Sequence, residues 1–404
     1  MSHIEDVNIQ WQDTGNIDAF GRARVSELTT QFDAKQIYNG LPLFIDNVTN
    51  GLGTVFHNST ESASDMNTTG SGDYAISQTK QRFNYQSGKS QLIFMTCYNF
   101  EAETSITKKI GYYSSSVVAP YNTGYDGLFF ESAGKVSINI WKRGVLTEQT
   151  LQEDWNIDPM DGTGKSGITI DWSKNIIFVV DFEWLGVGRV RWGVVIDGLI
   201  MYVHESKHAN NTTGVYMLSP NQPLRWELRQ AGAGSGSFTF VCASVNSEGS
   251  INALGKVLSV NNDTTHINAN NTSRIYVLHS IRLNSSNLGT LVDILNFNTL
   301  SRTNDDYLWS VRLNPSIAGG GALTYSTVSN SSLDHAVGIG NYVTGGTVLS
   351  SGYVEGNRGD AIEIKNAIRL GATIGGVSDQ LMFCVQPLSS NLDILGAIDW
   401  RELI

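Results

Sequence analysis

Short runs in which apolar and polar residues alternate recur along this chain, and they read as strands. Val136 to Trp141 places Val136, Ile138 and Ile140 on one face. From Ile176 to Trp184, Phe178, Val180, Phe182 and Trp184 face one way and Ile177, Val179, Asp181 and Glu183 the other. A turn at Gly186–Gly188, a run from Arg189 to Ile196, the pair Asp197-Gly198 and a run from Leu199 to His204 complete a predicted three-strand antiparallel meander, because Asp-Gly favours a tight hairpin turn. Leu92–Tyr98, Leu224–Leu228 and Phe238–Val245 read as further strands. The C-terminal part adds eight candidates: Ile275–Leu283, Thr290–Phe297, Tyr307–Leu313, Leu323–Val328, Thr347–Val354, Ala361–Leu370, Gln380–Gln386 and Leu392–Trp400. Short strands this close together, separated by Gly-rich turns, suit a sandwich or jelly roll.

Between these runs the texture is polar. Residues 1–36 carry only isolated Trp11, Phe20 and Phe32 and read as an extended N-terminal arm, and Asn50–Gly72 reads as a long polar loop. A second polar stretch suggests a linker at 251–272. The expected organisation is all-β: an arm (1–36), an aromatic-rich β-sandwich domain (37–250), the linker, and a C-terminal β-sandwich domain (273–404), the sandwiches being of jelly-roll or lectin-like type.

Composition sharpens this picture. Forty-one glycines against seven prolines fit many tight turns, and 41% apolar with 16% charged residues is enough for a core and argues against disorder. The net charge of −11, with no basic patch, argues against nucleic acid as a partner. The apolar runs are too short to span a bilayer, so no membrane partner is expected. Met1-Ser-His-Ile-Glu-Asp6 lacks the basic and apolar regions of a signal peptide, so synthesis in a cytoplasm is expected. Cys97, Cys242 and Cys384, odd in number and widely spaced, read as buried free thiols.

Several motifs imitate chemistry. His204-Glu-Ser-Lys-His208 has the spacing of a zinc protease, with Glu227 as a conceivable third ligand. That motif needs a helix, whereas this one continues a predicted strand, which would set the histidines about 13 Å apart. Asp181 and Glu183, roughly 6.6 Å apart on one strand face, are within the range of paired glycosidase acids. The plainer reading pairs them with Arg189 or Arg191 on the next strand. Gly162-Thr-Gly-Lys-Ser-Gly167 lacks the flanking strand and helix of a phosphate-binding loop and reads as a turn. The acid-rich loops at Asp158–Asp161 and Asn262-Asp263 match no calcium-loop spacing, and His57, His266, His279 and His335 stand alone. No catalytic residue, cofactor or metal is expected. Tyr112, Tyr113, Tyr121 and Tyr125, near glycines, are candidates for stacking on sugars. Trp184, Arg189, Arg191 and Trp192 are candidates for an interface or a structural core, since Trp and Arg are enriched at interface hot spots.

A set of blocks carries a resemblance. They are Asp18-Ala-Phe-Gly-Arg-Ala-Arg-Val-Ser-Glu27, Phe32-Asp-Ala-Lys-Gln36, Tyr85-Gln-Ser-Gly-Lys-Ser-Gln91, Gly127-Leu-Phe-Phe-Glu131, Trp155 to Gly198 with Trp184-Leu-Gly-Val-Gly-Arg-Val-Arg191 at its centre, Pro223-Leu-Arg-Trp-Glu227 and Ser244-Val-Asn-Ser-Glu-Gly249. The chain resembles, through these blocks, a family of virion structural proteins of tailed phages. The match covers most of residues 18–249 and, further on, the ending Asp399-Trp-Arg-Glu402. The resemblance implies a place in a virion, in the tail, fibre, neck or as a capsid accessory, and no catalytic residues. The expected partners are further copies of the chain, as a ring or trimer, and other virion proteins. A glycan-binding protein for host attachment and a polysaccharide-cleaving enzyme using Asp181 and Glu183 are the alternatives.

Overall fold

A computed structural model describes residues 16–363, 369–389 and 391–403. The chain splits into two compact units, Met1–Thr79 with Phe83–Ile251 and Lys80–Arg82 with Asn252–Ile404. Both are all-β.

The first unit holds fifteen strands: β1 (Leu28–Lys35), β2 (Ile45–Asn50), β3 (Thr54–Asn58), β4 (Ala63–Thr68), β5 (Tyr74–Thr79), β6 (Gln91–Tyr98), β7 (Ile106–Ser114), β8 (Asp126–Ser132), β9 (Val136–Lys142), β10 (Val145–Leu151), β11 (Ile176–Phe182), β12 (Val190–Ile196), β13 (Leu199–Ser206), β14 (Leu224–Gln230) and β15 (Gly236–Glu248). One sheet runs β13-β12-β11-β6-β15-β4-β3, with β1 beside β15; the other runs β10-β9-β8-β7-β14-β5-β2. The pairings are antiparallel, and β11 to β13 form the meander that the alternation and Asp197-Gly198 predict. The inner faces of the two sheets close on one core. Phe178, Val180, Phe182, Trp192 and Val194 from the first sheet meet Ile110, Leu128, Phe130, Ile138, Ile140 and Trp226 from the second. Aromatic rings dominate the centre, as in the edge-on contact of Phe130 with Trp192 at 5.2 Å.

Three polar stretches behave differently from their composition. Residues 28–35 of the expected arm form β1, antiparallel to Lys35↔Cys242 through Leu28↔Glu248, while residues 1–15 lie outside the described residues. The expected loop Asn50–Gly72 contains β3 and β4. Met66 is the apolar residue that β4 sends into the core, with Ser64 and Thr68 on the same face, so its alternation is hidden among polar residues. The expected linker 251–272 contributes two strands of the second unit, Gly255–Asn261 and Ile267–Ala269, both paired with the last strand. Gly255–Asn261 lies at a sheet edge with mostly exposed side chains, so it needs little apolar residue to pair.

The second unit continues with β16 (Gly255–Asn261), β17 (Ile267–Ala269), β18 (Ile275–Leu283), β19 (Val292–Ser301), β20 (Tyr307–Leu313), β21 (Ser316–Gly319), β22 (Ser326–Thr327), β23 (Leu333–Val337), β24 (Tyr342–Thr344), β25 (Thr347–Val354), β26 (Gly359–Glu363), β27 (Gln380–Pro387) and β28 (Leu392–Leu403). A sheet ordered β16-β28-β19-β26, with β17 beside β28, faces a larger sheet ordered β21-β24-β18-β27-β20-β25, with β23 beside β18. Phe297 of the first stacks on Phe383 of the second at 4.5 Å. The expected strand at Leu323–Val328 shrinks to β22, and the one at Ala361–Leu370 is described only through Glu363. Cys97 and Cys384 are buried free thiols, whereas Cys242 is exposed, because it points outward from β15.

Candidate functional site

The strongest concentration of charge lies on the outer face of the first sheet. Asp181, on β11, is fully buried there. The alternation of β11 sends Phe178, Val180 and Phe182 inward, which leaves Asp181 on the opposite face beside Arg191 of β12, its register partner. Its Oδ2 accepts hydrogen bonds from Arg24 at 2.5 Å, from Tyr202 Oη at 2.8 Å and from Arg191. Its Oδ1 accepts from Ser90 Oγ at 2.6 Å. Arg191 stacks its guanidinium 4.0 Å from the centre of the Tyr202 ring. Burial pushes the Tyr202 phenol up, so it stays a donor to the carboxylate. Arg24 also pairs with Glu248, which receives Ser26 Oγ at 3.3 Å.

The same network fastens the chain segment just before β1. Arg24 Nε donates to Ile17 O at 3.2 Å, Arg191 also reaches Ile17 O, and Arg189 Nε donates to Ala19 O at 2.9 Å. Asp18 binds Arg22 at 2.7 Å. Ile17, Asp18 and Ala19 are buried as a result. Asp181 is therefore enclosed, with both oxygens hydrogen-bonded within the unit. Glu183 is half-buried, with one oxygen accepting the Arg189 backbone N–H at 3.1 Å, and burial raises its pKa. The two carboxylates do not line a cleft as a pair of acids.

Of the residues expected at an interface or in a structural core, Arg191 and Trp192 are fully buried. Trp192 fills the core and donates Nε1–H to Ser206 Oγ at 3.1 Å. Trp184 is partly buried and donates to Met217 O at 3.1 Å, and Arg189 pairs with Glu205 at 3.1 Å.

The outer face of the second sheet carries a matching cluster. Glu227 of β14 is fully buried and accepts from Arg225 at 3.0 and 2.8 Å, from Tyr125 Oη at 2.8 Å and from Arg229. Lys109 sits 4.0 Å over the Tyr125 ring and 3.3 Å from Glu131. Burial alone would raise the Glu227 pKa, but the cations Arg225, Lys109 and Arg229 override it and bring it down to about 2. This cluster corrects the expected sugar contacts. Tyr112 and Tyr113 lie within β7 and Tyr125 next to β8, and all three rings are buried, so none offers a face to a ligand. Their neighbours explain it: Tyr113, Tyr125 and Phe129 form an apolar patch with Trp141, while Tyr112 donates to Pro220 O at 2.9 Å. Tyr121 is half-buried, and its carbonyl accepts from Arg225 and Arg229. Gly127 permits the approach of β8 to β7, since a Cβ there would lie 2.3 Å from Tyr112 O. Tyr125→Phe is expected to cost about 1.5–3 kcal/mol, the worth of a hydrogen bond to a charged group, in urea denaturation; an unchanged midpoint would show that the hydroxyl adds nothing.

The His204/His208 motif is brought together after all, and differently from a strand geometry. The chain turns after Ser206, so both rings reach Glu148 of β10: His204 Nε2 lies 3.2 Å from Oε1 and His208 Nε2 3.8 Å from Oε2. The tautomers decide what this can do. His204 Nδ1 accepts the Asn156 backbone N–H at 3.1 Å, so neutral His204 carries its proton on Nε2 and donates it to Glu148. His208 Nδ1 donates to Gly188 O at 2.7 Å. A metal would need the lone pair that His204 spends on Asn156. Zinc added to the purified chain is accordingly expected to leave its melting temperature unchanged; a rise saturating at one equivalent would overturn this. Glu227 is committed to Arg225 and Arg229 and takes no part. Among the described residues no group of three or more His, Cys, Asp or Glu side chains is arranged to hold a metal.

The other motifs resolve into structure. In 162–167, Asp158 accepts the backbone N–H groups of Met160 and Ser166, and Gly164 packs so close to its carboxylate that a Cβ would collide with it. His279 and His335 do not stand alone: Nδ1 of one meets Nε2 of the other at 2.9 Å inside the second unit.

One open groove lies on the second unit, with a volume of about 710 Å3. Arg282, Tyr325 and Gln380 form its polar side, and Ile317, Ala318, Ala322 and Leu323 its apolar side. Arg282 and Gln380 are register partners on β18 and β27. Sequence reasoning passes over these residues because they come from three separated segments, each unremarked alone.

No family model and no curated protein matches the chain. Among solved structures it is similar to the Emp47p carbohydrate recognition domain (11% identity, 55% of this chain and 98% of that one, TM-score 0.34). It is similar also to a legume lectin-like domain from Entamoeba histolytica (9%, 51% and 91%, TM-score 0.32) and to a protein of unknown function from Shewanella oneidensis MR-1 (9%, 58% and 92%, TM-score 0.38). Likenesses at this level carry no argument about ligand or partner.

Proposed function

We propose that the chain is a structural component of a tailed-phage virion, a tail, fibre, neck or capsid-accessory subunit that works through homo-oligomeric assembly and contacts with other virion proteins. One observation supports this reading most. The blocks that carry the resemblance are spent on one another: Asp18, Arg22 and Arg24, Ser90, Arg189 and Arg191, and Glu248 come from four blocks and meet around Asp181. Two more blocks supply Glu131 and Glu227 to the second cluster. Block residues used in this way fix one shape, which is what a particle subunit needs, and Asp181 and Glu227 are both committed to buried ion pairs. On this reading the chain is not an enzyme, and its place is the virion.

The test is the mass of the purified full chain by light scattering across a dilution series. A closed trimer, pentamer or hexamer is the expected result. A monomer at every concentration, also in the presence of the other proteins of the particle, would overturn assembly as its working mode. A second reading, attachment to a host surface glycan, is favoured by the groove at Arg282, Tyr325 and Gln380.

A further inference from the structure

The groove on the second unit is built from a strap and a sheet. After β21 the chain turns at Gly320 and Gly321, both at positive φ, and crosses back over the outer face of the larger sheet. Leu323 anchors the strap on Val277, Val343, Met382 and Cys384. Tyr325 Oη bonds Ser280 Oγ at 2.6 Å, which fixes the ring, and the Arg282 guanidinium lies 3.9 Å from the ring centre. Asp334 meets Arg282 Nε and Nη2 only at 3.4 Å, and it spends its other oxygen on Asn284 and Thr327 at 2.9 Å each. A pair that long and partly exposed contributes little, so Arg282 is oriented mainly by Tyr325. Among the described residues neither Arg282 Nη1 nor the Gln380 side-chain amide has a hydrogen-bond partner, and both line the groove.

Two free donors beside each other, on one wall, facing an apolar wall, select a ligand with the same asymmetry. Its oxygen-rich edge must accept, and its other side must be C–H surface. A sugar ring has both. Charged acceptors make hydrogen bonds about twice as strong as neutral ones and match a guanidinium edge. The volume lies within the roughly 300–1,000 Å3 usual for ligand sites. We propose that this groove binds a hexuronate residue of an acidic polysaccharide, with the carboxylate on Arg282 Nη1 and Gln380 Nε2 and the ring against Leu323 and Ile317. The proposal deepens the glycan-attachment reading and rests on it, not on assembly, which the light-scattering mass tests separately.

Titration calorimetry on the full chain with tetragalacturonate, its fully methyl-esterified form and acetate provides the test. The acid oligosaccharide is expected to bind, and the ester and acetate at least about tenfold more weakly. Arg282→Gln and, independently, Gln380→Ala are expected to weaken the acid form by about tenfold or more with the melting temperature unchanged. Gln380→Ala guards against a folding artefact, since that side chain holds nothing in place. Absence of binding to the acid form, equal binding of the ester or of acetate, or binding indifferent to both variants would each overturn the proposal.

Discussion

Asp181→Ala is expected to destabilise the first unit by about 3–5 kcal/mol, the cost of removing one partner from a buried ion pair. The loss is large because the carboxylate is what makes two arginines tolerable where they are. Arg191 is fully buried and Arg24 nearly so, and both converge on Asp181 Oδ2. Without it, Arg191 loses its carboxylate partner and Arg24 keeps Glu248 and Ile17 O. Ser90 and Tyr202 lose an acceptor as well. The urea midpoint of tryptophan fluorescence reads the change, since seven of the nine tryptophans lie between Trp11 and Trp226. Glu153→Ala, which breaks the exposed Lys135–Glu153 pair, should barely move it. A drop below about 1 kcal/mol for Asp181→Ala would mean that the network is dispensable.

The second large effect is on acid stability. Glu227 has an ordinary pKa of 4.5 and a folded one of about 2, set by three cations acting against burial. The fold thus prefers the ionised form. Its stabilisation is complete above pH 4.5 and drains away as the pH falls towards 2, to a total on the order of 3 kcal/mol. Glu227→Gln should lower stability at neutral pH and flatten this part of the pH profile, measured by urea denaturation at a series of pH values. A variant with the parent's slope between those limits would remove Glu227 as the group responsible.

Much of the strand content was legible because period-two alternation survives in β6, β9, β11, β12 and β15, and because Asp197-Gly198 marks a turn whose backbone needs few alternatives. The failures have a common cause. β4 and β16 hold their places by hydrogen bonds and a few apolar contacts, so their composition looks like loop. The tyrosines of β7 look like surface residues because Ser, Gly and Lys surround them in sequence, although Lys108 and Lys109 are themselves buried against Glu103 and Glu131. Buried charge is the one thing that hydropathy cannot distinguish from exposed charge. For the same reason, sequence could pair Asp181 with Arg191 from the hairpin register but could not show Arg24 and Glu248 joining them from both ends of the unit. The two histidines come together because β13 ends at Ser206, where alternation alone would carry the strand on to His208.

The pairing of β1 with β15 sets an order of events during synthesis. Leu28 and Glu248 are register partners, and between them lies nearly all of the unit. At roughly 5–20 residues per second, β1 leaves the ribosome some tens of seconds before its partner exists. Contacts this distant in sequence slow folding, and until they form, Phe32 and Ala34 have no core to enter and Arg24 has no Glu248. An early strand is thus seated late, and a waiting strand with open hydrogen-bonding edges can as readily be seated on a neighbouring nascent copy.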